Sequence, residues 1–398
     1  MIGLYVHTPY CTVRCSYCDF YLVPVRGHDP GRFAAAAAAE IETVAAVESL
    51  TARSGAVADT LHFGGGTPSI LPAPMLEAIV GAARAGFRIG PGAEIALEAN
   101  PEDVRPESIA AWQAAGFNRL SLGVQALDDL LLTRLRRPHS AAQALGSVRA
   151  AKRAGVPSVA ADLILGLPGQ DRDAAIDGIR RIVDAGADHV SIYLLEIHPR
   201  TRLGRAVALG RVGLPSQDEG ADLYERAAAG LAACGLDHYE ISNFARPGHR
   251  SRHNMKYWTD GDYLGFGPAA HSYRGGRRWS NAPDLRDYLQ GGGRRGRRIE
   301  EPDRPDLRGL EALFAGLRLV EGIDLESLRR RHGRWIPADD DPRIASLVDQ
   351  GLLGRAGPRL RLTDRGRLLS NEVFERLIPE EGMAENAAAA AGPPGQFT

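Results

Sequence analysis

Three of the chain's four cysteines stand together in Cys11-Thr12-Val13-Arg14-Cys15-Ser16-Tyr17-Cys18. Thiolates this close on a loop can all turn toward one soft metal centre. Iron–sulfur clusters are held in this way, usually by four thiolates. Three thiolates spaced C-x3-C-x2-C leave one iron of a cubane without a protein ligand, and an open metal position is where a substrate meets a metal. Zinc is the alternative, with His7 or Asp19 as fourth ligand. Structural zinc sites usually close with a second paired unit, and Cys234 stands alone. The spacing favours a cluster.

A second set of polar residues punctuates apolar runs further on. Gly64-Gly65-Gly66-Thr67-Pro68 follows Thr60-Leu61-His62-Phe63. Glycines there let backbone approach a ligand closely and supply positive φ; a plain tight turn is the simpler reading. Glu98 closes one apolar run and Gln125 another, Arg137 lies shortly after, and Asp162 sits inside Ala161-Asp162-Leu163-Ile164-Leu165. A buried carboxylate needs a partner. That partner is either a bound ligand or an arginine, Arg137 or another. A third constellation is His253-Asn254-Met255-Lys256-Tyr257-Trp258, followed by His271 on a glycine-rich stretch. Imidazole ligates haem iron, and aromatic rings pack on its macrocycle. A histidine near aromatics is also a common structural residue.

The elements that must position these residues read as strands alternating with helices. Strands are expected at Ile2–Val6, Thr60–Phe63, Glu94–Glu98, Arg119–Val124, Val159–Leu165 and Val190–Leu195. Helices are expected at Arg32–Leu50, Met75–Ala85, Pro106–Ala115, Leu127–Leu135, Ala141–Ala154 and Arg172–Ala185. The alternation implies parallel βαβ units. Ligands in such folds sit at the carboxyl ends of the strands, which is where the glycine triplet, Glu98 and Gln125 fall. Six units are too few for a closed eight-fold barrel.

At 398 residues the chain has room for two or three domains. Its formal net charge of −1 provides no global field toward nucleic acid or membrane. Lys152 and Lys256 are the only lysines, so the abundance of arginine reflects base composition more than phosphate binding. No apolar run is long enough to span a bilayer, no signal peptide precedes the first strand, and few cysteines suit a reducing compartment; a cytoplasmic protein is expected.

The cysteine loop, with its C-x3-C-x2-C spacing, resembles the signature of the radical S-adenosylmethionine (SAM) enzymes. The resemblance implies a [4Fe–4S] cluster on Cys11, Cys15 and Cys18, SAM on the fourth iron, an electron donor to the cluster, and an α/β fold of the partial (βα)6 TIM-like barrel type. In this family the Gly-Gly-Gly-Thr-Pro segment accepts the SAM ammonium, which implicates Gly65, Gly66 and Thr67. The subfamily that contains oxygen-independent coproporphyrinogen III oxidase has residues matching Glu98 and Arg137 at the amino-acid end of SAM. It has residues matching Gln125 and Asp162 at the ribose, and aromatic SAM contacts matching Tyr5 and Tyr17. The segment with His253, Asn254, Tyr257 and Trp258 resembles the hallmark of the HemW-type haem chaperones, relatives of that oxidase. It implies haem as cofactor or cargo and a haem-acceptor protein as partner.

The domain plan expected is a barrel over 1–238, a haem-side extension over 239–290, a Gly/Arg linker over 291–305, a winged-helix-like C-terminal domain over 306–379, and a disordered tail over 380–398. Winged helices often bind DNA, and Arg329-Arg330-Arg331 could face a phosphate backbone. Near-neutral charge argues against a basic face, so no specific nucleic acid is expected. Two functions share the SAM machinery: a haem chaperone, and the oxidase that decarboxylates porphyrinogen propionates. The oxidase pattern has a further cysteine two positions after the third, where this chain has Phe20. The chain also lacks the oxidase's N-terminal extension. Both departures favour the chaperone and make oxidase activity an unexpected outcome.

Overall fold

The structure is a computed structural model that describes residues 1–51, 56–293, 298–301, 305–333 and 336–379. In chain order the first elements are β1 (Ile2–Thr8), β2 (Tyr10–Cys11), β3 (Val23–Pro24), α1 (Pro30–Thr51), β4 (Val57–Gly65), α2 (Ala73–Gly86), β5 (Arg88–Ala99) and α3 (Pro106–Ala115). Then come β6 (Arg119–Gln125), α4 (Asp129–Leu135), α5 (Ala141–Arg153), β7 (Ser158–Leu165), α6 (Arg172–Asp184), β8 (His189–Leu194), α7 (Arg202–Ala208) and α8 (Gln217–Ala233). The six expected strands are thus β1, β4, β5, β6, β7 and β8, each parallel to the next. Their outward-facing residues meet the helices. Leu4, Val6, Leu61 and Phe63 pack with Phe33, Ala37 and Ile41 of α1 and with Leu76 and Ile79 of α2, all essentially without solvent contact. Burial of one such side chain stabilises the fold by about 1.5–3 kcal/mol. Ser140 and Asp171 cap α5 and α6 through the backbone N–H groups of Gln143 and Ala174, as short polar residues at helix starts should.

The segment after α8 corrects the expected boundary at 238. It forms β9 (Asp237–Glu240), β10 (Asn243–Ala245), α9 (Arg252–Trp258), β11 (Tyr263–Phe266), β12 (His271–Arg274), β13 (Arg277–Asn281), α10 (Leu285–Gln290) and β14 (Arg298–Glu300). The twelve-stranded sheet runs β14-β13-β12-β11-β1-β4-β5-β6-β7-β8-β10-β9. Residues 239–290 are therefore not an appendage: they extend the sheet at both edges. The physical reason is that β1 and β8 would otherwise expose unpaired backbone groups. β11 runs parallel to β1, with Tyr5 paired to Gly265, and β10 runs antiparallel to β8. The expected Gly/Arg linker is corrected in the same way, because Arg298–Glu300 pairs with Trp279–Asn281. Its residues 294–297 and 302–304 lie outside the described residues, as does the tail over 380–398.

The C-terminal unit comprises α11 (Pro305–Leu317), β15 (Ile323–Asp324), α12 (Leu325–His332), α13 (Pro342–Asp349), β16 (Leu353–Ala356), β17 (Arg359–Leu362), α14 (Asp364–Leu368) and α15 (Ser370–Leu377). Helices followed by the β16–β17 hairpin, with β15 alongside β17, give the winged-helix order. Leu313, Leu317, Leu325, Leu328, Leu347, Leu360 and Leu377 form its own core. The triplet Arg329-Arg330-Arg331 is committed to carboxylates: Arg329 to Asp339, Arg330 to Glu326 and Arg331 to Asp260. Among the described residues no helix is long and apolar enough to cross a membrane.

Candidate functional site

A cavity of about 1310 Å³ opens at the carboxyl ends of the parallel strands. It exceeds the roughly 300–1,000 Å³ common for small-molecule sites. Its wall brings together Cys11, Cys15, Cys18, Tyr5, Tyr17, Gly65, Gly66, Thr67, Glu98, Gln125, Arg137, Asp162, Asn254, Tyr257, Trp258 and His271. Of the residues that the sequence offered for the cluster, SAM or haem, His253 alone is missing from that wall.

The cysteine loop leaves β1 and is stapled at several points. Ser16 N–H donates to the Leu135 carbonyl (3.1 Å), and Arg14 donates to the Leu22 carbonyl (3.0 Å). Cys11 Sγ lies 3.2 Å from Thr67 Oγ1, and Arg137 Nη1 donates to Cys15 Sγ at 3.6 Å. Burial raises the Cys11 thiol and pushes the Cys18 thiol up to about 12. Neighbouring Cys15 adds to both shifts, since adjacent thiolates repel. Such a donor set is short of positive charge, and a bound cation reverses the balance by deprotonating thiols outright. Among the described residues no three His, Cys, Asp or Glu side chains converge on a point that could hold a single metal ion.

The glycine triplet is more than a tight turn. Gly65 has φ +102°, and a Cβ there would stand 2.6 Å from the His7 ring. A Cβ on Gly66 would stand 2.6 Å from the Tyr10 carbonyl oxygen. Side chains at either position would push the strand end away from the cysteine loop. Arg137 bridges the next two strand ends: its Nη2 donates to Asn100 Oδ1 (2.7 Å) and to the Gly123 carbonyl (2.6 Å). Its Nε is buried without a hydrogen-bond partner. Nearby Tyr17 and Cys15 outweigh its burial and hold its guanidinium firmly charged. Gln125 adopts φ +66° where β6 slips register against β7. A non-glycine residue held there stores of order 1–3 kcal/mol, and such residues cluster at ligand sites.

Asp162 is held by serines rather than by an arginine. No arginine pairs with it among the described residues. Ser121 Oγ donates to its carboxylate at 3.1 Å, and the hydroxyl of Ser191, its register partner on β8, does the same. Burial nevertheless pushes its carboxyl up to about 6. A carboxyl raised in the folded state favours folding most when protonated, and that advantage is lost as pH rises through 6. Asp162→Asn is therefore expected to raise stability by up to about 3 kcal/mol at pH 8 and by about half of that at pH 5. Thermal unfolding at both pH values checks this; an equal shift at both would remove the assigned cause.

Behind this wall lies a stack of rings. Tyr5 stacks on His62 (5.9 Å between centroids) and on His253 (6.1 Å). His62 Nε2 lies 2.9 Å from Glu98 Oε1. His253, which the sequence left as either a haem ligand or a residue that shapes the pocket, is turned away from the cavity wall. Its side chain is 1% exposed, with Nδ1 2.8 Å from Thr60 Oγ1 and Nε2 2.8 Å from Tyr257 OH. The cause is the start of α9, where Glu94 accepts from the backbone N–H groups of Arg252 and His253 and turns the imidazole onto β4. His253 positions Tyr257 and Tyr5, which do face the cavity.

Sequence reasoning missed several wall residues. His7 was offered only as a zinc ligand, yet it shares the inward face of β1 with Tyr5, two positions away, and strand alternation could have found it. Asn100, Tyr193, Glu240 and Arg318 also line the cavity. Arg318, just beyond α11, lies over the Trp258 ring at 4.5 Å and carried no sequence signal.

An open α/β barrel with three thiols, a glycine-lined strand end and buried Arg and Asp at one cavity defines a radical SAM protein. The comparisons agree: residues 5–182 match the radical SAM superfamily, and residues 304–369 match the HemN C-terminal domain. A Mycobacterium tuberculosis protein named Heme chaperone HemW is 37% identical over 94% of this chain and 94% of its own length. The Escherichia coli protein of the same name is 30% identical over 95% of this chain and 98% of its own. The chain belongs to the HemW family within the radical SAM superfamily. The fold is also that of the Escherichia coli radical SAM enzyme coproporphyrinogen III oxidase (HemN), with a TM-score of 0.79 at 24% identity over 94% of this chain and 89% of that one.

Proposed function

We propose that this protein is a haem chaperone that takes haem into the cavity and passes it to an acceptor protein. The observation that carries the reading is the cavity itself: one continuous space joins the thiol loop to Tyr257 and Trp258 and has room for more than one ligand. Cys11, Cys15 and Cys18 would hold a [4Fe–4S] cluster at one end, and the thiol chemistry above fits it. Gly65, Gly66, Thr67, Glu98 and Arg137 would take the amino-acid end of SAM, Gln125 and Asp162 its ribose, and Tyr5 and Tyr17 its remaining contacts. A bound cluster supplies an open iron and, from an external electron donor, an electron. Asn254, Tyr257 and Trp258 lie on the haem side. Four free cysteines suit the reducing cytoplasm. The committed arginine triplet supports a function without a nucleic-acid partner.

The alternative is the oxidase, which shares this fold. Phe20 lines the cavity where the oxidase pattern carries a further cysteine, and it offers neither thiolate nor hydroxyl. The test is a pair of measurements on anaerobically reconstituted protein. Haem titration followed by the visible spectrum is expected to saturate at about one haem per chain. With SAM and reductant supplied, coproporphyrinogen III is expected to remain undecarboxylated. Enzymatic decarboxylation, with haem held no more tightly than by an unrelated protein, would replace this reading with the oxidase.

A further inference from the structure

We propose that His271, and not His253, supplies the imidazole that ligates haem iron. The assignment rests on the reading of the cavity as a haem site. An iron ligand must offer a neutral nitrogen lone pair to open space. Three histidines line the cavity among the described residues: His7, His198 and His271. His7 is committed on both sides, with Nε2 3.0 Å from the Tyr21 carbonyl and Nδ1 3.3 Å from Tyr5 OH. His198 stands between two carboxylates, Nδ1 at 3.8 Å from Asp19 and Nε2 at 3.7 Å from Glu196. Both of its nitrogens are drawn to acceptors.

His271 differs from both. It faces the cavity, and no described residue hydrogen-bonds or ion-pairs with its ring. Burial, helped by the positive charge of Arg278 and by His7, lowers its pKa and keeps the imidazole neutral. Neutral imidazole is the ligating form. Arg278 aims its donors elsewhere: Nη2 donates to Glu311 at 2.9 Å and Nη1 to Tyr263 OH at 3.2 Å.

The backbone around His271 is built to hold it still. Gly265, paired with Tyr5, carries no side chain because the His271 carbonyl folds over the place a Cβ would take. β11 therefore separates His271, on β12, from Tyr5 on β1. The intervening loop is pinned by buried Glu40, whose carboxylate accepts from Gly267 N–H (2.9 Å), Asn281 Nδ2 (2.7 Å) and Tyr288 OH (2.7 Å). Asn281 N–H in turn donates to the Ala270 carbonyl at 2.9 Å. A ligand on such a fixed turn loses little freedom when it binds metal, the usual requirement for a preorganised site. Tyr257 and Tyr263, edge to face at 4.8 Å, continue the same wall with ring surface for a macrocycle.

The experiment is a ferric-haem titration of the full chain and of His271→Ala, His253→Ala and His198→Ala, each read by visible and paramagnetic resonance spectra. His271→Ala is expected to lose the imidazole-ligated spectrum and to bind haem at least about tenfold more weakly, the scale at which even outer-shell changes at metal sites act. Free imidazole should restore the spectrum in that variant. His253→Ala and His198→Ala should keep it. If His271→Ala fails to fold, His271→Met serves instead and should exchange the nitrogen signature for a thioether one. Wild-type protein that binds haem without an imidazole signature, or a His271 variant that keeps one, overturns the assignment and leaves the haem reading standing. Wild-type protein that binds no haem overturns both.

Discussion

Cys15→Ala protein, reconstituted anaerobically with iron and sulfide, is expected to take up essentially no [4Fe–4S] cluster, and Cys11→Ala and Cys18→Ala the same. Wild-type protein should hold close to four irons and four sulfides per chain, as a cubane requires. The loss should be complete because only three thiols are available. Removing one leaves two irons of a cubane without protein ligands. The local chemistry compounds the effect. Burial and Cys15 hold Cys18 up at about 12 without a metal, so the thiolates are stable only when cluster and loop form together. Cys234 serves as the internal control. It ends α8, away from the cavity wall, and Cys234→Ala should bind the wild-type amount. Zinc retained in carefully purified wild-type protein, with no brown species after reconstitution, would remove the cluster and the SAM site built beside it.

That Cys11, Cys15 and Cys18 share one loop at the cavity was legible in the sequence because it lies in their spacing. So were β1 and β4 to β8, whose apolar runs alternate with helical ones, and α3, whose expected bounds, Pro106–Ala115, are those observed. The placement of Gly65, Gly66, Glu98 and Gln125 at the cavity was legible because a parallel sheet opens its clefts at the strand ends. What was not legible depended on pairings distant in sequence. Tyr263-Leu264-Gly265-Phe266 reads as a glycine-rich segment, and only the open edge of β1 makes it a strand. Arg298–Glu300 is exposed throughout and pairs solely because β13 offers it an edge. His253 shows the limit for side chains. Its aromatic neighbours were foreseen, but Glu94, on a strand far away in sequence, fixes the start of α9 and so decides which way the imidazole points. Arg318 belongs to the same class, since it meets Trp258 only through the packing of α11 beside α9.

Arg137→Ala is expected to weaken SAM binding by about 2–5 kcal/mol, the loss that follows when one partner of a buried, hydrogen-bonded charge pair is removed. The guanidinium already spends donors on Asn100, the Gly123 carbonyl and Cys15, which fixes its plane across two strand ends. One buried donor, Nε, is left without a partner. A buried N–H without a partner is costly, so its retention next to the cluster loop suits a site that a ligand carboxylate completes. Arg137→Lys should not rescue binding, because an ammonium cannot hold Asn100 and Gly123 while also facing a carboxylate. The measurement is equilibrium binding of SAM together with the paramagnetic resonance signal of the reduced cluster with and without SAM. Iron content, determined first, separates a weakened SAM site from a damaged cluster, which matters because Arg137 also touches Cys15. The wild-type signal should change on saturation with SAM, and the variant's should change only at far higher concentration. A variant that keeps its cluster and responds to SAM as the wild type does would show that Arg137 serves the fold alone, bracing Asn100 against Gly123, and that the SAM carboxylate finds its charge elsewhere.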